Sequence, residues 1–300
     1  MLVLSDFYAC EVSIIMKKIL ITGATDGIGL ATAKVLASQG HHLLVHGRNP
    51  ARLDTLEKTL FGVAGAGLVE CYQADLSRLD EVEALAQAVS GKHDALDVLI
   101  NNAGVLKTPD PITPEGWDVR FVVNTFAPYL LTRRLLPLLG EGARIINVSS
   151  AAQNPVDRDA LMGKVYDSRP LEAYAQSKLA LNQWSRCMAL ELGRGGPVVV
   201  CVNPGSKLAT KMVRQGFGVD GHDVMQGANI LVQAALSGEF EDATGKYYDN
   251  DAGRFAPPHA DALDDQKCRQ LVETMETLLF SMGISAGVMH IDPTDQPPLF

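Results

Sequence analysis

The sequence predicts an α/β fold: one doubly wound parallel sheet of about seven strands with helices on both faces. Three observations carry this. Short apolar runs alternate along the whole chain with longer helix-forming stretches. The first apolar run, Lys17-Lys-Ile-Leu-Ile-Thr22, leads directly into a glycine-rich turn and an amphipathic segment reaching Ser38. Polar clusters then fall just after apolar runs, where open α/β sheets bind their ligands.

Taken in order, strands are expected near 18–22, 42–47, 68–73, 97–101, 143–149, 197–202 and 245–248. Helices are expected near 27–39, 50–60, 78–90, 115–139, 171–193, 223–237 and 262–282. Pro137 should end or kink the helix at 115–139, because its ring blocks the preceding turn. Asp75 is placed to cap the run that begins at Ser77. His41 and His42 lack carboxylate or cysteine company in sequence and read as surface residues. The segment Ser206–Val224 contains Gly216, Gly218 and Gly221 and reads as a mobile lid. Its Leu208, Met212, Val213 and Phe217 suit either an apolar substrate or packing against the body, while Lys207 and Lys211 read as solvated.

At 300 residues and 47% hydrophobic content, with no internal repeat, the chain reads as one domain. Residues 16–283 form that domain, residues 1–15 read as an extension, and 284–300 as an irregular tail. A net charge of −9 argues against nucleic acid or an anionic membrane surface as the main partner. The leader is apolar but too short to span a bilayer. Five cysteines without paired or metal-ligand spacing, and no secretory signal, predict free thiols in a cytoplasmic protein and no metal site.

Tyr174 and Lys178 are the most informative pair. Four residues apart on a helix, they share one face, so the ammonium can reach beneath the phenol ring. A free phenol has a pKa of about 10, and lowering it by three units requires about 4 kcal/mol. One cation at about 4 Å supplies roughly that much at an effective dielectric near 20. The spacing thus suits a tyrosine acting as a general acid–base. Gly23-Ala-Thr25-Asp26-Gly27-Ile28-Gly29 suits a different need: its glycines let a pyrophosphate approach the N–H groups that open a helix.

In this combination the chain resembles the short-chain dehydrogenase/reductase family from about Lys17 to about Asn250. The resemblance rests on Thr22-Gly-x-x-x-Gly-x-Gly29, Asp75, Asn101-Asn102-Ala103-Gly104, Asn124, Ser150, Tyr174-x-x-x-Lys178 and Pro204-Gly205, in the family's order. It implies a Rossmann-type sheet with strand order 3-2-1-4-5-6-7. It also implies hydride transfer between a nicotinamide cofactor and a carbonyl or alcohol. Ser150 would polarise the substrate oxygen, Tyr174 exchange the proton, Lys178 tune the phenol and hold the ribose, and Asn124 hold a water of the proton relay. Ser149 and Ser150 compete for the catalytic place, since strand alternation lets only one reach the substrate; the resemblance selects Ser150.

For the cofactor, the resemblance implies contacts from Gly23, Thr25, Asp26, Gly27, Ile28 and Gly29, then Asp75 and Leu76 at the adenine. Asn102, Ala103 and Gly104 would approach the ribose, while Pro204, Gly205 and Thr210 would guide the nicotinamide. After the second strand, Gly47 stands where an NAD-selective site carries a carboxylate, and Arg48-Asn49 follows. An arginine fork suits a 2′-phosphate, so NADP(H) is expected over NAD(H), although Asp26 stands where many NADP-preferring relatives are basic. The stretch Asn154–Gly163, Thr244–Tyr248 and the late helix resemble the retinol dehydrogenase-like and protochlorophyllide reductase-like branch. A homodimer or tetramer is expected through the helices at 115–139 and 171–193, whose Leu179, Leu181, Trp184, Met188 and Leu190 cannot all face one sheet. The rival is a catalytically idle dinucleotide-binding protein that senses redox state or serves as a scaffold.

Overall fold

A computed structural model describes residues 15–285; the expected extension at the start and most of the expected tail lie outside them. Strands β1 (Lys18–Ile21), β2 (His42–Gly47), β3 (Val69–Gln73), β4 (Val98–Asn101), β5 (Arg144–Val148), β6 (Val198–Asn203), β7 (Tyr247–Asp249) and β8 (Arg254–Phe255) form a single sheet. Its order is β3-β2-β1-β4-β5-β6-β7-β8, parallel throughout except for the antiparallel β7–β8 edge. The expected order holds, and the eighth strand is an addition. At two residues, β8 is too short to give a periodic signal.

Helices α1 (Gly27–Ser38), α2 (Pro50–Phe61) and α3 (Leu79–Ser90) fall where expected. The crossover at 115–139 is broken: α4 (Val119–Phe121), a π-helical turn (Val122–Phe126), α5 (Ala127–Leu135) and a 3₁₀ turn (Leu136–Leu138) around Pro137. Further on come α6 (Arg158–Leu161), α7 (Pro170–Leu192), α8 (Lys211–Phe217), α9 (Val224–Leu236) and α10 (Asp265–Ser281). The short α6 lies in the stretch Asn154–Gly163, an insertion before α7, and α8 lies in the segment Ser206–Val224 that the sequence marks as a lid.

Alternation along the strands divides the core. Ile19, Ile21, Leu43, Val45, Ile100, Val200 and Val202 pack under α1, α2 and α9. Leu20, Leu44, Leu99, Ile145 and Val199 pack under α3, α5 and α7 on the opposite face. That second layer is itself covered, because Cys268, Leu271, Val272, Met275 and Leu279 of α10 join the same cluster. Tyr129 of α5 donates to Glu276 of α10 at 2.8 Å. Leu179, Leu181, Trp184 and Met188 are therefore buried within one chain, and only Leu190 is exposed, at 45%. Apart from Leu190, the apolar residues that prompted the expected pairing of subunits are buried intramolecularly.

His41 and His42 are buried, against the expectation of surface positions. His42 lies 2.9 Å from Glu70 on the neighbouring strand, a carboxylate that sequence separation concealed. Among the described residues no group of three or more His, Cys, Asp or Glu could hold a metal, and no helix is long and apolar enough to cross a membrane.

Candidate active site

Beyond the carboxyl ends of β1, β2, β4, β5 and β6 lies a cleft of about 580 Å³. At its floor, the turn after β1 runs so close to the segment after β4 that side chains are excluded. A Cβ at Gly29 would sit 2.4 Å from Asn102 Nδ2 and from the Gly23 carbonyl. Gly23 has φ +65°, and a Cβ there would meet the Ala103 backbone at 2.9 Å. Asn102 ties the two segments, donating to the Thr22 and Gly23 carbonyls at 2.8 and 3.1 Å. Asp26 caps α1, its Oδ1 accepting from Gly27 N at 2.8 Å.

His46 completes this brace and was missed in sequence, where it reads as one more strand residue. Its Nδ1 accepts from Gly23 N at 3.2 Å, which leaves Nε2–H to donate to the Ala74 carbonyl at 3.0 Å. The ring is held neutral, and burial lowers its pKa below 6.5. Unfolded chains then bind more protons below about pH 6.5, so this ring's contribution to stability is full above that value and declines as pH falls. His46→Asn should flatten the acid limb of a urea-midpoint profile between about pH 6.5 and 5; an unchanged limb would assign that loss to other groups.

Arg48, Asn49, Arg52, Asp75 and Leu76 line one end of the cleft. Arg48 is not a helix cap: Asn49 takes that role, accepting from Arg52 N at 3.1 Å. Arg48 Nη1 instead lies 3.8 Å from Asp75 Oδ2. Asp75 does not cap α3 either, because that helix begins at Leu79 after Arg78; its Oδ1 closes a tight turn by accepting from Ser77 N and Oγ.

At the other end stand Tyr174 and Lys178, one turn apart on α7. Lys178 Nζ donates to the Val148 carbonyl at 2.7 Å and lies 5.7 Å from the Tyr174 ring centroid. Burial pushes the ammonium down to about 8. Burial also raises the Tyr174 phenol above its ordinary value, while a hydrogen bond from the Ser150 hydroxyl acts the other way. Desolvation sets the direction, opposite to the lowering expected of Lys178. Ser150 Oγ accepts from Ala152 N at 3.1 Å, which leaves its proton free to donate. Its carbonyl is pinned by Tyr247 Oη at 3.1 Å and Gln153 Nε2 at 3.0 Å.

Strand alternation does not separate the two serines, because β5 ends at Val148 and both lie beyond it. Ser149 lines the cleft, and its buried hydroxyl has no hydrogen-bond partner among the described residues. Asn124 sits in the π-helical turn and is fully engaged: it accepts from Val105 N at 2.8 Å and donates to Val105 O and Ser177 Oγ at 2.9 Å each. A Cβ built on Gly104 would lie 3.3 Å from Asn124 Oδ1 and 3.6 Å from Lys178 Nζ, so the amide and the ammonium flank one backbone position. Gly205, at φ +118°, faces Leu208, Asn250 and Asp251 and serves the turn after β6, whereas Pro204 and Thr210 do line the cleft.

The lid packs both ways. Leu208 and Val213 are buried against the body, while Thr210, Lys211, Met212 and Gln215 line the cleft, Lys211 as an exposed residue in keeping with its expected solvation. The insertion before α7 is held by a buried ion pair. Arg120 Nε donates to Asp118 Oδ1 at 2.8 Å, and its Nη2 reaches the Asp167 carbonyl at 3.4 Å. Nothing in the sequence marks this pair, since both residues read as surface charges on a helix.

The family described as short chain dehydrogenase matches residues 17–218. Retinol dehydrogenase 13 of Homo sapiens is 29% identical, over 85% of this chain and 82% of its own. Polyprenol dehydrogenase of Homo sapiens is 32% identical, over 77% of this chain and 76% of its own. A crystal structure of a short chain dehydrogenase from Burkholderia cenocepacia J2315 in complex with NADP is 25% identical, with a TM-score of 0.62, over 78% of this chain and 95% of that one.

Proposed function

This chain belongs to the short-chain dehydrogenase family and is an oxidoreductase acting on CH–OH or C=O groups, and we propose that it moves a hydride between NADP(H) and the carbonyl carbon of an apolar small molecule. One observation carries the reading. The Tyr174 phenol and the buried Lys178 ammonium line one end of a cleft whose floor is a turn closed to any Cβ at Gly23 and Gly29, and the Ser150 hydroxyl, outside the lining itself, acts on that phenol. The residues fit such a cofactor: the cradle at Gly23 and Gly29 is one that any Cβ would fill, and Ser149 presents a buried hydroxyl lacking a partner among the described residues. Residues 16–283 act as one unit in this reading.

When bound, the nicotinamide supplies or accepts the hydride. Thr25, Gly27 and Ile28 line the cleft at the N-terminus of α1, where exposed N–H groups favour anions, and would hold the phosphates. Asp75 and Leu76 would hold the adenine, and Asn102, Ala103 and Gly104 the ribose. Ser150 donates to the substrate oxygen as negative charge develops there. Tyr174 gives its proton to that oxygen in reduction and takes it back in oxidation. Lys178 stabilises the phenolate left behind, and Asn124 keeps the backbone beside the ammonium in place. Met212 and Leu106 offer an apolar wall, consistent with a hydrophobic substrate.

NADP(H) is favoured by charge. No carboxylate stands at the end of β2, where Gly47 is followed by Arg48, and the NADP-bound relative supports the same assignment. Arg48→Asp should weaken NADPH binding at least tenfold and NADH little, read by cofactor fluorescence titration. Equal losses, or a wild-type preference for NADH, would overturn it. The activity itself is tested with purified protein, NADPH and a panel of ketones, aldehydes and quinones. Tight NADPH binding with no turnover across the panel would favour the idle, sensing protein instead.

A further inference from the structure

Asp26 stands on the rim of the cleft, at the N-terminus of α1, with one carboxylate oxygen capping that helix. An anion here opposes any phosphate brought to the same N–H groups. The structure holds an answer to this conflict. Arg52 Nη1 lies 3.2 Å from Asp26 Oδ2, and both side chains line the cleft together with Arg48. Arg52 occupies the first turn of α2, which carries no acidic residue. The helix dipole disfavours a cation in that position. Its placement is therefore not explained by the stability of α2.

We propose that Arg52 is a specificity-determining residue, which cancels the charge of Asp26 and turns its remaining donors toward the 2′-phosphate of NADP(H). This rests on the cofactor reading above and deepens it. Arg48 faces Asp75 at 3.8 Å and Arg52 faces Asp26 at 3.2 Å. This end of the cleft is formally neutral. Loss of Arg52 leaves it negative with Asp26 uncovered; loss of the Asp26 charge leaves it positive. A guanidinium is suited to both tasks at once, because it has five donors and one carboxylate engages only part of its fork. Asp26 is tolerated in an NADP site because Arg52 accompanies it.

The test is a double-mutant cycle on cofactor binding, read as dissociation constants for NADPH and NADH by fluorescence titration. Asp26→Asn is the right partner variant, since asparagine still caps a helix. Arg52→Ala should weaken NADPH by about tenfold or more, with less than about threefold effect on NADH. Asp26→Asn should tighten NADPH. In that background, the loss from Arg52→Ala should shrink severalfold, because no uncovered carboxylate remains. Equal losses for the two cofactors, or the same loss in both backgrounds, overturn the pairing. A wild-type preference for NADH overturns the cofactor reading and the proposal with it, so the two failures are told apart by the wild-type titration alone.

Discussion

Tyr174→Phe should lower turnover by about 10²–10⁴-fold while leaving NADPH affinity and the unfolding midpoint near wild type. The substitution removes one oxygen and keeps the ring, which packs at the start of α7. The oxygen removed is the only phenol lining the cleft among the described residues, and the Ser150 hydroxyl lowers its pKa against the effect of burial. Ser150 can still polarise the substrate oxygen, but it has no neighbouring base to replace its proton. The check is steady-state turnover with a verified substrate, alongside a cofactor titration that confirms an intact cleft. Near-normal turnover would require another proton source and would overturn the assignment of Tyr174.

Lys178→Met should fail differently: turnover and NADPH affinity should both fall, while the protein gains stability. Burial has brought the ammonium from 10.5 down to about 8, so the folded chain disfavours its charge by about 3 kcal/mol. Methionine fills a similar volume without that cost. The sign of the pH dependence follows. Between about pH 8 and 10.5 the unfolded chain holds the lysine proton and the folded chain has released it, so wild-type stability rises with pH across this window. The Met variant should lack that rise. In the opposite sense, kcat/KM of the wild type should fall as pH passes about 8 and the cation is lost. Urea unfolding at several pH values reads the first effect, and the pH–rate profile the second. A destabilised variant with normal turnover would show Lys178 to be a packing residue.

Much of this was legible in the chain because the constraints are local. Gly23 and Gly29 fall where a Cβ would strike backbone, and Tyr174 and Lys178 need only helical periodicity to become neighbours. That the sheet is parallel follows from alternation and handed crossovers, whereas its strand order was implied by the family resemblance. What escaped depends on long-range partners. His46 looks like any strand residue until Gly23 and Ala74 close on its two nitrogens. The π-helical turn at Val122–Phe126 has no compositional mark, yet it seats Asn124 against Val105 and Ser177. The roles of Ser149 and Ser150 could not be split by alternation, because the strand stops one residue before the first of them. Arg52 escaped because its significance lies in Asp26, which is 26 positions away in sequence.

The placement of α10 bears on how such a chain comes to rest. Trp184, Met188 and Leu181 form a layer that neither the sheet nor α5 can seal alone, and α10 arrives last in the chain to seal it. Until that segment has emerged from synthesis, a nascent chain carries an open apolar seam along α7, with the cofactor cleft on a different edge already shaped. Completion of the seam and completion of the cleft are thus separate events.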